Sequence, residues 1–269
     1  MRPSPRILLN TAQIELWPAW LLRARSNADA RILSRATWLL RRKRDGGYLA
    51  AALFEGLMPL VPRLAREPGL DDALDLLDAG ARHGVATEAG TLPLHRLDER
   101  LDALGLDAEA YAAGTGLALV AEPVALALAG FDRYRRPLWL LPRAARAWQR
   151  MREAAAREGV TLEAISGYRS HDYQLGIFAR KHARGLTLAQ ILEVNAAPGF
   201  SEHHAGDALD IGAPGEPAAE ESFERTPAFA WLQRNAPDRG FTMSYPRGNP
   251  HGIVYEPWHW RHAPSDAAG

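Results

Sequence analysis

Two short stretches near the C-terminal end constrain this chain most. One is Ser201-Glu202-His203-His204-Ala205-Gly206-Asp207-Ala208-Leu209-Asp210, and the other is Glu256-Pro257-Trp258-His259. His259 stands far beyond Asp210 in sequence, so only the fold can bring the two together. Pro257 argues against a helix interior, because proline lacks the amide donor and its ring clashes with the preceding turn. Glu256 and His259 are therefore expected on a strand or bulged edge. In the first stretch, Gly206 and Ala208 are small enough for the backbone to fold closely. Asp210 precedes Ile211-Gly212 and is expected in or beside a short strand.

Together the stretches hold imidazoles, a carboxylate ligand and a spare carboxylate. That set suits a catalytic zinc site: three protein ligands, an open fourth position for water and a general base. The 269 residues include no cysteine, so any zinc site must use histidine and carboxylate. His203, Asp210 and His259 are the candidate ligands. His204 competes with His203, and neighbours on a strand point to opposite faces, so only one of the two should reach a metal. Glu256, three residues before His259, could take a proton from water and return it to a leaving amine. His83, His95, His171, His182, His251 and His262 read as surface or hydrogen-bonded residues.

Lysine plus arginine and aspartate plus glutamate both number 32, so the formal net charge is zero. No global field draws such a chain to nucleic acid or anionic lipid. The cluster Arg41-Arg42-Lys43-Arg44 reads as the cationic end of a helix, stopped by Asp45-Gly46-Gly47. No stretch reaches the roughly 18 apolar residues of a membrane span. The first apolar run ends at Asn10 and Glu15 follows, which is no secretory signal. The expectation is that the protein stays inside the cell, leaves by another route, or is a processed form. No Ser-x-x-Lys or Gly-x-Ser-x-Gly arrangement offers a serine nucleophile.

Apolar periodicity predicts helices over 28–44, 48–66 (interrupted by Pro59 and Pro62), 70–81 and 94–104. Residues 1–115 are thus expected to form an all-α N-terminal region of unassigned role and partner. The texture changes after Gly114-Thr115-Gly116. A turn and strand are expected over 131–141, a helix over 142–158, a buried strand over 161–166, and helices over 170–183, 186–196 and 227–235. Residues 116–269 are therefore expected to be an α+β domain, with helices on a small, mostly antiparallel sheet.

From about residue 117 to 263 the chain resembles the zinc D,D- and L,D-carboxypeptidases of the VanY type, within the superfamily of lysostaphin-like and D-Ala-D-Ala metallopeptidases. Several motifs carry the resemblance in order: Ser166-Gly167-Tyr168-Arg169-Ser170, Gln174, Pro198 through Ile211, Trp231-Leu232 with Asn235-Ala236, Gly240-Phe241, Ser244-Tyr245-Pro246, and Tyr255 through Arg261. It implies that His203, not His204, joins Asp210 and His259 as a zinc ligand and that Glu256 is the base. It implies that Arg169 stabilises an oxyanion or pairs with a substrate carboxylate, and that Gln174 and Ser201 bind the substrate's terminal carboxylate or amide. Tyr245 is assigned to the pocket wall. The implied substrate is a peptidoglycan stem peptide or muropeptide losing its terminal D-alanine, and the implied location is the cell envelope or periplasm. Two other readings are an endopeptidase cutting within the stem peptide and a non-catalytic zinc scaffold for a partner.

Overall fold

Leu8, Leu9, Ile14, Leu16, Leu39 and Leu40 are almost completely buried, and all lie in extended segments rather than helices. The computed structural model describes residues 5–83, 90–94 and 96–263. They divide into one unit built from 5–83, 90–93 and 123–128, and a second built from 94, 96–122 and 129–263. His95 and the side chain of His83 lie outside the described residues.

The first unit contains β1 (Ile7–Asn10), β2 (Ile14–Pro18), the short helix α1 (Asn27–Leu33), β3 (Trp38–Arg42), β4 (Tyr48–Leu53), β5 (Gly56–Pro59) and α2 (Leu70–His83). The opening half of β6 (Ala125–Phe131) also belongs to it. Its strands run in the order β5-β4-β3-β2-β1-β6, each pair antiparallel. Helix α2, expected over 70–81, sets Leu70, Ala73, Leu76 and Leu77 against Leu9, Ile14, Leu16, Leu40 and Leu49.

The expected all-α N-terminal region is thus corrected: helices 28–44 and 48–66 give way to α1 and three strands. Strands β3 (WLLRR) and β4 (YLAAAL) consist largely of leucine, alanine and arginine, which have high helix propensity. Burial of Leu39, Leu40, Leu49, Ala50 and Ala51 in the sheet overrides that preference. Asp45-Gly46-Gly47 does not end a helix; it turns β3 into β4, and Asp45 Oδ1 accepts the Gly47 N–H at 2.9 Å. The basic cluster belongs to this hairpin, with Arg41 bound to Glu15 and Arg42 to Asp45 and Glu67.

The second unit has α3 (Leu97–Asp102), α4 (Ala108–Thr115), β7 (Pro137–Leu140), α5 (Pro142–Arg157), β8 (Glu163–Ser166), α6 (His171–His182), α7 (Leu188–Leu192), β9 (Ala208–Gly212), α8 (Pro227–Asn235), β10 (Phe241–Met243) and β11 (His259–His262). A four-stranded antiparallel sheet in the order β10-β11-β9-β8 is its centre. This is the small antiparallel sheet with helices that the sequence predicts. Helix α5 begins at Pro142, where the missing amide donor costs nothing, and buries Ala144, Ala147, Trp148, Met151 and Ala155. The boundary between units does not fall at 115/116. Leu97 and Leu101 pack with Leu117, Ala197, Phe200 and Tyr245, so this helical stretch belongs with the second unit.

Candidate metal centre

The register of the second sheet places Asp210 of β9 directly opposite His259 of β11, with Ser166 of β8 on its other side. His203 comes from a single 3-10 turn over Glu202–Ala205, ahead of β9. Gly206 ends that turn in the left-handed region at φ 72°, a conformation costly for other residues. One imidazole nitrogen of each histidine and one Asp210 oxygen then lie within 4.8 Å of one another, and all three residues are buried. Glu256 stands on the loop just before β11, its amide bonded to Tyr245 O at 3.0 Å. The Pro257-Trp258 turn brings its carboxylate 4.0 Å from His259 Nδ1.

Hydrogen bonds select the tautomers. His203 Nδ1 lies 2.7 Å from Gly167 O, so it carries the proton and leaves Nε2 facing Asp210 Oδ1 at 3.2 Å. His259 Nε2 lies 2.9 Å from Glu202 Oε2, and its Nδ1 lies 3.1 Å from the same Asp210 oxygen. Glu202 is itself held by the Ser244 hydroxyl at 2.6 Å and by Arg261 at 3.2 Å. A carboxylate behind a histidine fixes its ring and raises its basicity as a ligand. Three lone-pair donors therefore converge, two imidazoles and one carboxylate, which suits zinc. The Arg169 guanidinium meets them with positive charge, 2.6 Å from Asp210 Oδ2 and against His203 Nε2.

His204 has both ring nitrogens committed to backbone. Nδ1 donates to Arg169 O at 2.7 Å and Nε2 accepts the Gly199 N–H at 3.1 Å. It braces the loop that carries Arg169 and is not available as a ligand.

Burial and neighbouring charge shift the site's titrations. Burial, with the Arg169 charge, holds His203 down to about 4. Burial would also lower His259, but its bonds to Asp210 and Glu202 push it up to about 10, so its Nδ1 must give up a proton before it can bind a metal. Glu202, which burial alone would raise, is drawn down to about 2 by His259, Ser244 and Arg261. Burial pushes Glu256 up to about 7, opposed by His259 and Arg169 and aided by Asp210 and Glu202. A carboxylate with that affinity can exchange protons near neutrality.

A cleft of about 460 Å³ opens over these groups, and Arg169, Gln174, Ser201, His203, Asp210, Tyr245, Glu256 and His259 all line it. Gln174 donates to Ala196 O at 3.0 Å, and its Oε1 has no partner among the described residues. That oxygen can accept an N–H, and the second amide hydrogen is able to serve an anion. The Tyr245 ring packs 4.9 Å from the His259 ring, and burial pushes its hydroxyl well above the usual range. Sequence reasoning overlooked Glu202, although it adjoins His203 and a ligand histidine generally needs an acceptor behind it. Ser244 and Arg261 lay within the motifs without an assigned role.

The VanY family model, described as D-alanyl-D-alanine carboxypeptidase, matches residues 138–265. YodJ of Bacillus subtilis is 38% identical over 143 residues, 51% of this chain and 51% of that protein. The bifunctional D-Ala-D-Ala dipeptidase and D-Ala-D-Ala carboxypeptidase VanXYC of Enterococcus gallinarum is 30% identical over 146 residues, 52% of this chain and 75% of that one. A solved mutant of the vancomycin resistance D,D-pentapeptidase VanY in complex with Zn(II) is 32% identical, covering 46% of this chain and 73% of that one with a TM-score of 0.39. The chain spans about half the length of other curated relatives it matches, 40% and 45% of two of them. With three quarters of VanXYC covered at that identity, the chain belongs to the VanY family.

Proposed function

We propose that the second unit is a zinc-dependent carboxypeptidase that hydrolyses the terminal D-alanine bond of peptidoglycan stem peptides. The convergence of His203, Asp210 and His259, with Glu256 beside them in a cleft, carries this reading. The family description and the name of VanXYC support its substrate class. Zinc held by His203, Asp210 and His259 supplies Lewis-acid polarisation of the scissile carbonyl and acidification of water.

The chain's own residues do the rest. Glu256 takes a proton from the attacking water and returns it to the departing amine. Arg169, on the cleft wall, offers N–H donors to the oxygen on which negative charge develops, or to a substrate carboxylate. Glu202 holds the His259 ring in place through Nε2. Gln174 and Ser201 position the C-terminal residue, which favours an exopeptidase over an endopeptidase. Among the described residues no helix is long and apolar enough to cross a membrane. The site of action proposed is the cell envelope, where such peptides occur.

Digestion of muropeptides followed by mass spectrometry tests the reading. Loss of one alanine supports it; larger fragments assign the endopeptidase activity instead. Zinc binding with no cleavage of any muropeptide assigns the non-catalytic scaffold.

A further inference from the structure

Helix α6 carries one side-chain stripe into the cleft. Gln174, Ile177 and Lys181, spaced by three and four residues, all line it. Lys181 lies seven residues beyond Gln174, about 10 Å along the axis. Helical side chains lean toward the helix N-terminus, the end of α6 that carries Gln174. It feels the charges of both Glu256 and Arg169 there.

The other cleft cations each have a carboxylate partner. Arg169 is paired with Asp210 and Arg136 with Asp132, each at 2.6 Å. Lys181 has no ion-pair partner among the described residues, although burial holds its pKa below the ordinary lysine value. Ile177, one turn before it on the helix, and Val194 and Val254, which line the same cleft, are apolar and offer no side-chain acceptor. A half-buried ammonium on such a wall is poorly solvated and gains most when an anion arrives.

We infer that Lys181 is a substrate anchor that binds a carboxylate of the peptide in the cleft. The inference deepens the proposed function and rests on it. A stem peptide offers two sources of that chemistry, its terminal carboxylate and an internal one. Lys181 is a positioning residue: it holds the peptide and touches no reacting atom.

The test uses zinc-loaded full chain carrying Glu256→Gln, so that peptides bind without turnover. Calorimetry compares it with the Glu256→Gln/Lys181→Met double variant on three peptides: the free acid, its C-terminal amide, and the internal carboxylate converted to an amide. Loss of a charged hydrogen bond predicts about 10- to 100-fold weaker binding of the free acid by the double variant. That penalty should vanish for whichever amide removes the recognised group, and Lys181→Arg should restore most of the affinity. In the Glu256-intact enzyme, Lys181→Met should raise KM with little change in kcat, while Arg184→Met, exposed beyond the helix, should leave both unchanged. An equal penalty on all three peptides, or none, overturns the inference. A Lys181→Met enzyme whose pH profile shifts alike for every substrate also overturns it, since that marks an effect through Glu256. A wild-type enzyme that cleaves nothing while binding still depends on Lys181 overturns only the proposed function. Absence of any peptide binding overturns both.

Discussion

Each unit's sheet buries a carboxylate against a basic residue on the neighbouring strand. In the first, Glu15 of β2 faces Arg41 of β3; in the second, Asp210 of β9 faces His259 of β11. The first pair is closed. Glu15 Oε2 accepts from Arg41 and from the Trp17 indole, both at 2.7 Å, and the Arg41 guanidinium stacks on the Trp17 ring. Nothing in that arrangement asks for a further ion. Around Asp210, by contrast, two imidazoles present lone pairs to the same oxygen, because Gly167 and Glu202 occupy their other nitrogens. Asp210 too is paired with a guanidinium, that of Arg169, so what marks the metal centre is the pair of ring nitrogens converging on its other oxygen with their outer sides already engaged.

The contrast can be broken at either sheet. The largest effect is expected at the base: Glu256→Gln should keep zinc but cut the rate of D-alanine release about 10²- to 10⁴-fold. Metal analysis and steady-state kinetics on the same preparation check this. Next, Glu202→Gln should weaken zinc binding about 10- to 100-fold, because His259 loses its carboxylate support; a chelator competition titration measures it. In the other sheet, Glu15→Ala should destabilise the first unit by about 1–3 kcal/mol through loss of the buried carboxylate to which Arg41 and the Trp17 indole donate, and leave zinc affinity unchanged. Denaturant unfolding and the same chelator titration separate the two outcomes.

The smallest expected effect is on pH dependence. Burial raises Glu256 above the ordinary glutamate value of 4.5, toward about 7. Since the base must be ionised, kcat/KM should fall as pH drops through the Glu256 titration, which burial raises and a bound zinc ion draws back down. An acid limb that stays in place in the residual activity of Glu256→Gln would show that another group titrates.

The two sheets also differ in how far the sequence disclosed them. His203, Asp210, His259, Glu256 and Arg169 were legible because zinc chemistry needs those side chains, and no apolar residue can replace them. Asp210 on a strand and Glu256 off a helix followed from Ile211-Gly212 and Pro257. The choice of His203 over His204 came from the resemblance; its physical reason, two backbone bonds to His204, lies in the fold. Strands β3 and β4 were misread because Leu39-Leu40 and Ala50-Ala51-Ala52 carry no β-branched signal, so packing alone decides their conformation. Asp45-Gly46-Gly47 suits a hairpin turn as well as a helix stop, and the β3–β4 pairing decides between them. The affiliation of 94–122 with the second unit depends on Leu97 and Leu101 meeting Phe200 and Tyr245, a long-range contact that periodicity does not encode.

The most direct test of the metal centre and its base is one digestion, run in parallel with zinc-loaded wild-type protein and zinc-loaded Glu256→Gln, on a stem pentapeptide and tetrapeptide, read by mass spectrometry. The account predicts that wild type removes a single D-alanine and that the variant, with equal zinc content, removes almost none. Equal release by both proteins would contradict it.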